Sequence, residues 1–391
     1  MNSKKNRVIS ARIFRQLLGP IIALLAIVGV MSQANAQTPE YLAEYHLYEE
    51  ALKFGDNEQA ERHSYAAWQA AERELGDHRL TAILAFNYGQ LIILTSPQKA
   101  RTALLRAQSV NAVVNAGLPT DELRALLAFI DLETGGNNRN TRKALHTSLN
   151  TYMATTQDPT QNVAVIWLRL AAAYIEKSEF EDAALSAEAA EKALATALPY
   201  NFRLRAQAII IHGVAMVAPF SNSPQMTEIG VNDLARAQDF FPKQPSLDSF
   251  DPLLAQAIAW EVAGYAKLQS QLNMSYVGRA GHGRRGFSPQ RIFEGKTKSD
   301  AQCNITMERS ELEFPRPGVH KNYVGGVLVG FNLSTTGEVI DARVLSEVPS
   351  QTYGPATLKV VKQWRSTTKP LNDPACLKNH MMTAAYILLN R

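Results

Sequence analysis

The stretch 325–349, GGVLVGFNLSTTGEVIDARVLSEVP, determines how the C-terminal part of this chain folds. Between residues 327 and 333 apolar side chains recur at every second position, which predicts a β-strand with one buried face. Gly337 supplies the positive φ that a tight hairpin turn needs, and the valine-rich segment 339–345 predicts a return strand that Pro349 ends. The stretch therefore predicts a β-hairpin.

A helix and a closing strand follow the hairpin. Pro355 suits the first turn of a helix, and Leu358, Val361 and Trp364 recur at a spacing that covers one face of a sheet. The apolar segment 381–389 predicts the closing strand. Because the hairpin strands pair with each other, we expect the last strand at an open edge of a three-stranded antiparallel sheet.

This segment resembles the C-terminal domain of TonB, the periplasmic end of the protein that energises outer-membrane receptors. The shared features are an aromatic-proline pair, a glycine-led strand, a turn glycine, an aromatic residue before the helix, a Trp-Arg pair and an aromatic residue in the last strand: Phe314, Pro315, Gly326, Val327, Val329, Phe331, Gly337, Tyr353, Ala356, Leu358, Trp364, Arg365 and Tyr386. The family usually places an aromatic residue and a proline directly after Trp-Arg. Here residues 366–369 precede Pro370, so we expect an altered loop.

The resemblance implies a protein partner, an outer-membrane receptor or another envelope protein. The last strand would pair with an extended peptide of that partner through main-chain hydrogen bonds. The expected partner-binding strand comprises Met382, Thr383, Ala384, Ala385, Tyr386, Ile387 and Leu388. No nucleic-acid partner is expected, because the chain has no dense stripe of Arg and Lys and its net charge is +4.

The N-terminal sequence predicts export. Five basic residues precede the apolar run 17–31, and Ala34-Asn35-Ala36 follows it, which is typical of a signal peptide cleaved between Ala36 and Gln37. The run is shorter than the roughly 20 residues that cross a bilayer as a helix. A periplasmic location is therefore expected. The alternative is an uncleaved anchor in the inner membrane, with the chain facing the periplasm and no other membrane contact except through partners.

The two cysteines, Cys303 and Cys376, lie in or beside the C-terminal segment. In the oxidising periplasm they predict a disulfide that closes a loop of about 70 residues and contributes on the order of 4 kcal/mol. A metal or redox role would require a CxxC pair or clustered histidines. Neither these nor a recognisable nucleophile, phosphate-binding or dinucleotide motif occurs, so no catalytic, cofactor or metal site is expected.

A helical repeat array precedes the C-terminal segment. Trp167, Leu170, Tyr174, Ala183 and Ala190 match the tetratricopeptide repeat at its own offsets. The small-residue spacing of its second helix recurs, about 40 residues apart, at Ala60, Ser64 and Ala67, at Ala100, Leu104 and Ala107, and at Ala144, Ser148 and Thr151. We expect about five helix pairs up to residue 241. The segment 252–272 would form a capping helix with Trp260 and Leu268 inside and Lys267 and Gln271 outside.

The glycine- and arginine-rich stretch 278–286 predicts a mobile linker. A solvated hinge is favoured, and a tether to anionic cell wall or lipid is the alternative. The fold class is thus α+β: signal peptide 1–36, tetratricopeptide-like solenoid 37–275, linker 276–302 and TonB-like β-β-α-β domain 303–391.

Two functions remain open. The first is a TonB-like periplasmic protein that binds partners by strand addition and is linked to outer-membrane transport. The resemblance does not extend to the energy-coupling part of TonB, which is a membrane helix with polar residues that contact proton-channel partners, followed by a long proline-rich spacer. Here the apolar run carries no His or acidic residue, and residues 38–50 contain a single proline. The alternative is a periplasmic helical-repeat scaffold, in which the TonB-like module is a docking unit without energy transduction.

Overall fold

The computed structural model describes residues 38–219, 223–242, 246–277, 305, 307–308, 310, 324–367 and 373–387. This part of the chain is mostly helical, with helices packed in tandem, and it ends in a small sheet. The predicted signal peptide, the segment 278–302 and the residues Gln37, Cys303 and Leu388 lie outside the described residues.

The helical part consists of five successive hairpins and one further helix. Its helices are α1 (Glu40–Phe54), α2 (Asn57–Leu75), α3 (Arg79–Ile92), α4 (Pro97–Val114), α5 (Thr120–Gly135), α6 (Arg139–Thr155), α7 (Gln161–Glu176), α8 (Phe180–Ala197), α9 (Phe202–Val217), α10 (Pro224–Gln238) and α11 (Pro252–Val277). The first helices of the five hairpins begin at residues 40, 79, 120, 161 and 202, which confirms the expected spacing.

Local sequence explains where the helices end. Gly55 has a φ of 71°, a left-handed conformation that costs glycine little, and it closes α1. The Asp56 side chain then accepts a hydrogen bond from the backbone N–H of Gln59 and starts α2. Sequence reasoning missed this break, although glycine followed by a capping aspartate is a usable signal. At the start of α6 the Asn138 side chain accepts a hydrogen bond from the backbone N–H of Thr141, and the Thr141 side chain accepts one from the backbone N–H of Asn138, which forms a capping box.

The residues that match the tetratricopeptide pattern are buried. Trp167 is 1% exposed and Leu170 fully buried, as are the small residues of α8 at Ala183 and Ala190. The third hairpin differs from the expectation. In α6 Ser148 is buried as expected, but Ala144 and Thr151 are exposed, and Leu145, Leu149 and Tyr152 are buried instead. The buried face of α6 thus includes large apolar side chains at positions next to the two small ones that were predicted to lie there.

The chain divides into two compact units. One contains the residues up to Ile166 with Thr196–Leu198, and the other contains Trp167–Ala195 with the chain from Pro199 onward. The second unit therefore holds α9 to α11 and the sheet. The predicted domain limits at 275 and 303 stay predictions.

The sheet has the predicted strand sequence. Its strands are β2 (Val324–Leu333), β3 (Val339–Val348) and β5 (His380–Ile387), in the spatial order β3-β2-β5 and all antiparallel, while β1 (Met307–Glu308) pairs with β4 (Arg365–Ser366). Helix α12 (Gly354–Val361) lies between β3 and β4 in sequence. Gly337 has a φ of 84°, and its N–H donates to the Ser334 carbonyl at 2.9 Å. The hairpin turn is as predicted.

The prediction of one buried face for β2 was wrong. Val327, Val329 and Phe331 pack in a core with Tyr353, Val361 and Trp364, as expected. The opposite face is buried too, because Leu328 packs against α11 at Leu254, Ala255, Ile258 and Val262. The sheet is therefore covered on both faces, by α11 on one and by α12 with its flanking residues on the other. The period-two pattern of residues 327–333 had predicted that Leu328 faces solvent.

Candidate functional site

Strand β5 forms one edge of the sheet. It pairs with β2 from Val324 opposite Ile387 to Phe331 opposite His380, without a register shift. Among the described residues β5 pairs with β2 alone. Its other edge therefore offers main-chain groups that the described part of the chain does not use.

The side chains of β5 from His380 to Tyr386 are buried or partly buried. Met382, Ala384 and Tyr386 belong to the core that includes Trp364, and each is at most 4% exposed. On the opposite face Thr383 is 3% exposed, and Met381 and Ala385 pack against the cluster around α11. A partner that meets this edge would therefore contact chiefly backbone.

The end of β5 is anchored by a pair of aromatic rings. The rings of Tyr353 and Tyr386 stack with centroids 4.5 Å apart and planes 10° apart. The Tyr386 hydroxyl and the Thr357 hydroxyl are hydrogen-bonded at 2.7 Å, and burial raises the pKa of Tyr386. Gly325 lies opposite Tyr386, where a Cβ would overlap the Tyr353 ring. Glycine at this position therefore makes room for the stacked pair.

The opposite edge, β3, is of a different kind. It carries Asp341, Arg343 and Glu347, and its pairing with β2 contains two register irregularities. Asp341 has a φ of 54°, and its carboxylate accepts a hydrogen bond from the Asn332 amide at 3.2 Å. Charges and bulges are the features by which proteins protect sheet edges from pairing with other chains. By contrast, β5 contains no Asp, Glu, Lys, Arg or Pro and no irregularity.

Helix α11 holds the sheet through small residues. A Cβ on Gly326 would overlap the carbonyl oxygen of Ala259 and lie 2.9 Å from its carbon, so strand and helix backbones are almost in contact. Ala259 and Ala263 are fully buried beside Val348. The C-terminal module thus packs directly on the last helix of the array. The predicted linker 276–302 is not its only attachment.

Polar bonds at the end of the sheet support this packing. The backbone N–H of Leu247 donates to the Asn379 side-chain oxygen at 3.0 Å, and the N–H of Asn379 donates to the Asn332 side-chain oxygen at 3.0 Å. The Arg343 guanidinium donates to the Leu247 carbonyl. The short 3-10 helix Leu247–Ser249 that precedes α11 is therefore bonded to Arg343 of β3 and to Asn379, which immediately precedes β5 and is itself bonded to Asn332 of β2.

Lys267 of α11 is buried, which corrects the prediction that it faces solvent. It is 3% exposed, and its ammonium group donates to the carbonyls of Val217, at 2.8 Å, and Pro219. These carbonyls lie at the C-terminal end of α9, where a positive charge is favourable. Burial lowers the pKa of Lys267 to about 8. The surface of α11 that sequence marked as polar is thus used to hold α9.

Most of the predicted partner-binding strand, Met382 to Ile387, lies in β5. Of the remaining predicted site residues, Leu388, Ala36, Gln37 and Cys303 lie outside the described residues. Cys376 is disulfide-bonded and lies in the short helix Pro374–Leu377. Within the described ranges, no group of three or more His, Cys, Asp and Glu side chains could hold a metal ion. None of the helices described is long and apolar enough to cross a membrane.

No protein-family model matches the chain. No curated protein matches it either. Among solved structures, one that resembles it is a signal transduction ATPase with numerous domains that carries a tetratricopeptide repeat sensor, from Pyrococcus horikoshii. The two are 15% identical with a TM-score of 0.41, and the match covers 70% of this chain and 40% of the archaeal one. This chain therefore spans less than half of that protein.

Proposed function

We propose that this protein binds an extended segment of a protein partner by strand addition at β5, as a TonB-like periplasmic protein linked to outer-membrane transport. The observation that carries the proposal is the contrast between the two edges of one sheet. Strand β3 is charged and irregular, whereas β5 is regular and uncharged, and its side chains from His380 to Tyr386 are buried or partly buried. An edge of the second kind is a template for another strand.

The buried side chains of β5 indicate how recognition divides between affinity and specificity. Main-chain hydrogen bonds along β5 would supply affinity for any extended segment. Specificity would come from the partner's side chains, which point alternately to the two faces of the extended sheet. These side chains would contact the sides of α11 on one face of the sheet and of α12 on the other. This division suits a binding module that accepts several related partners.

The alternative function is a periplasmic scaffold, in which the helical repeats bind the main partner. Helical repeats support protein–protein interaction in general. The direct packing of Gly326 on Ala259 favours this alternative in one respect, because a partner held at the sheet would fix α11 as well. The module would then dock the array at the envelope.

Export is part of the proposal. The mature protein is expected to start at Gln37 and to appear in the osmotic-shock fraction of Gram-negative cells. Mass spectrometry of the N-terminal peptide measures this directly. Full-length chain found only in inner membranes would favour the anchored alternative.

Crosslinking tests the partner site. A photo-reactive residue at the exposed Lys378, just before β5, is expected to crosslink an outer-membrane receptor in growing cells. The matched control is Ile340 on the β3 edge, which is 43% exposed. Crosslinks from Ile340 alone, or from neither position, would reject strand addition at β5.

Proline scanning along 382–388 then tests the mechanism against the partner segment so identified. Along an antiparallel edge strand, alternate N–H groups point to the neighbouring strand and to the open edge. Proline at the first set should unfold the module, and proline at the second set should leave it folded and weaken binding. Ala385 and Ile387 are the informative positions, and Ala385→Gly is the control that keeps the N–H. If every folded proline variant still binds the partner segment, strand addition is wrong and the helical repeats are the better candidate for the binding surface.

A further inference from the structure

The first compact unit contains a groove between α2 and α4, with α3 at its floor. It has a volume of about 580 Å³, within the range of roughly 300–1,000 Å³ that ligand sites occupy. Its lining combines aromatic rings with charged and amide side chains: Glu61, Arg62, Tyr65, Trp68, Gln69, Tyr88, Lys99 and Thr102.

The floor and one wall of the groove are aromatic. Trp68 and Tyr88 are stacked, with centroids 5.7 Å and planes 28° apart, and Tyr65 meets Trp68 edge to face at 5.9 Å. Trp68 and Tyr88 are buried, whereas Tyr65 is 47% exposed. Because Trp68 and Tyr88 are buried and stacked on each other, their faces offer little flat surface for a sugar or a base. They form instead an apolar wall that suits an aliphatic or aromatic side chain.

One end of the groove is closed by an ion pair. Arg106 of α4 donates to both oxygens of Glu72 of α2, at 2.6 and 2.8 Å, and Trp68 donates to Glu72 at 3.1 Å. Asp77 also accepts from Arg106, at 2.7 Å. These contacts neutralise Arg106 and tie the two helices together. They hold the pKa of Glu72 below its usual range.

The other end carries an exposed lysine, Lys99. Glu72 and Arg106 are 34 residues apart, and the same separation relates Tyr65 to Lys99 and Trp68 to Thr102. Lys99 is exposed and makes no ion pair with the described residues. Arg62 lines the same end, but its guanidinium is hydrogen-bonded to His63, whose other ring nitrogen lies 2.7 Å from a carboxylate oxygen of Glu44. The exposed Lys99 is therefore the group at this end that favours an anionic ligand group, as long as that group reaches Lys99 rather than the carboxylate of Glu61.

We propose that this groove binds a peptide segment in which an apolar side chain is adjacent to a carboxylate. The apolar side chain lies against Tyr65, Trp68 and Tyr88, and the carboxylate contacts Lys99. Gln69 and Thr102 supply hydrogen-bonding groups for the peptide backbone. This site is separate from the strand-addition edge and does not depend on it.

The probes are three capped hexapeptides, Gly-Ser-Phe-Asp-Ser-Gly and its versions with Asn or Lys in place of Asp, measured by ligand-observed NMR on the whole protein. The Asp peptide should bind tightest and the Lys peptide weakest. Lys99→Ala should weaken the Asp peptide up to about fivefold, the size of an exposed ion pair, and leave the Asn peptide unchanged. Glu61→Gln should strengthen the Asp peptide by removing repulsion.

The matched control is Lys143→Ala, which removes an exposed lysine from α6, the second helix of the next hairpin. It should change none of the three affinities. Tyr65→Ala should weaken all three peptides, with circular dichroism showing that the helices persist. Equal affinities for the three peptides, equal effects of Lys99→Ala and Lys143→Ala, or tighter binding of the neutral sugar diacetylchitobiose would each overturn the proposal.

Discussion

Helix α11 packs in two ways, and both rely on glycine. On the side of α9 and α10, here called the helix seam, a Cβ on Gly264 would lie 2.6 Å from a methyl group of Val231 and 3.0 Å from one of Val217. On the side of β2, the sheet seam, a Cβ on Gly326 would overlap the backbone of Ala259. Valine methyl groups can move when a neighbour grows. A backbone carbonyl within a helix cannot move without breaking the helix.

The difference shows that the two seams fix position to different degrees. The helix seam resembles ordinary side-chain packing, which tolerates small shifts. The sheet seam sets the distance between α11 and β2 at backbone contact, and so it also fixes the orientation of the sheet edges on α11. The mobile linker that sequence predicts between residues 276 and 302 therefore does not determine how the sheet is presented.

The largest expected effect is that of Gly326→Ala. The added methyl group meets backbone at Ala259, so the sheet must shift away from α11, at a cost of about 3 kcal/mol or more in unfolding free energy. Denaturant unfolding of the whole chain measures it. Gly330→Ala is the matched control in the same strand, because its methyl group would meet side-chain atoms of Leu247, at 2.5 Å, and Leu345. Similar losses for both variants would contradict the distinction between the seams.

The next effect concerns pH and belongs to the helix seam. The pKa of Lys267 is lowered to about 8 from an ordinary 10.5, so between these values the unfolded chain binds a proton that the folded chain lacks. Stability should therefore rise with pH across this window, by up to about 3 kcal/mol from this group. Lys267→Met should remove that contribution. Urea unfolding of the wild type and of Lys267→Met at pH 7.5 and 10 isolates the contribution of Lys267. If the unfolding free energy of both proteins changes equally with pH, the ammonium group is effectively solvated in the folded protein.

A smaller effect is expected for Gly264→Ala. The clash with Val231 and Val217 is offset by the gain in helix propensity, about 1 kcal/mol, so the net loss should be about 1 kcal/mol. Adding Val231→Ala should relieve the clash in a double-mutant cycle. Thermal unfolding of Gly264→Ala and of the double variant measures these losses. A loss as large as that of Gly326→Ala would show that the helix seam is equally rigid.

The smallest effect is expected inside the sheet itself, for Tyr386→Phe. This change removes the 2.7 Å bond to Thr357 and keeps the stacked rings, so it should cost about 1 kcal/mol. Thr357 retains its bond to the Tyr353 carbonyl. Partner binding at β5 should be unchanged, because the main-chain edge is untouched. A loss of binding without a loss of stability would give the hydroxyl a direct role in recognition.

Much of the fold could be predicted because it follows from local patterns. The alternation in 327–333, the turn at Gly337 and the helix stripe at Leu358 and Val361 gave the strand order, and the small residues of α8 gave the repeat. The edge position of β5 followed from the hairpin. The charged residues of β3 are visible in the sequence, but its register irregularities are not, because they arise from the pairing with β2.

The sequence by itself determined the period of each element, the turns, the repeat spacing and the order of strands, since each depends on residues close together along the chain. Only the tertiary structure decided what covers the second face of β2, where Lys267 lies and which edge stays regular. These depend on contacts between distant segments, such as Gly326 with Ala259 and Lys267 with Val217. A small residue is compatible with many neighbours, so its sequence position does not identify the backbone that packs against it.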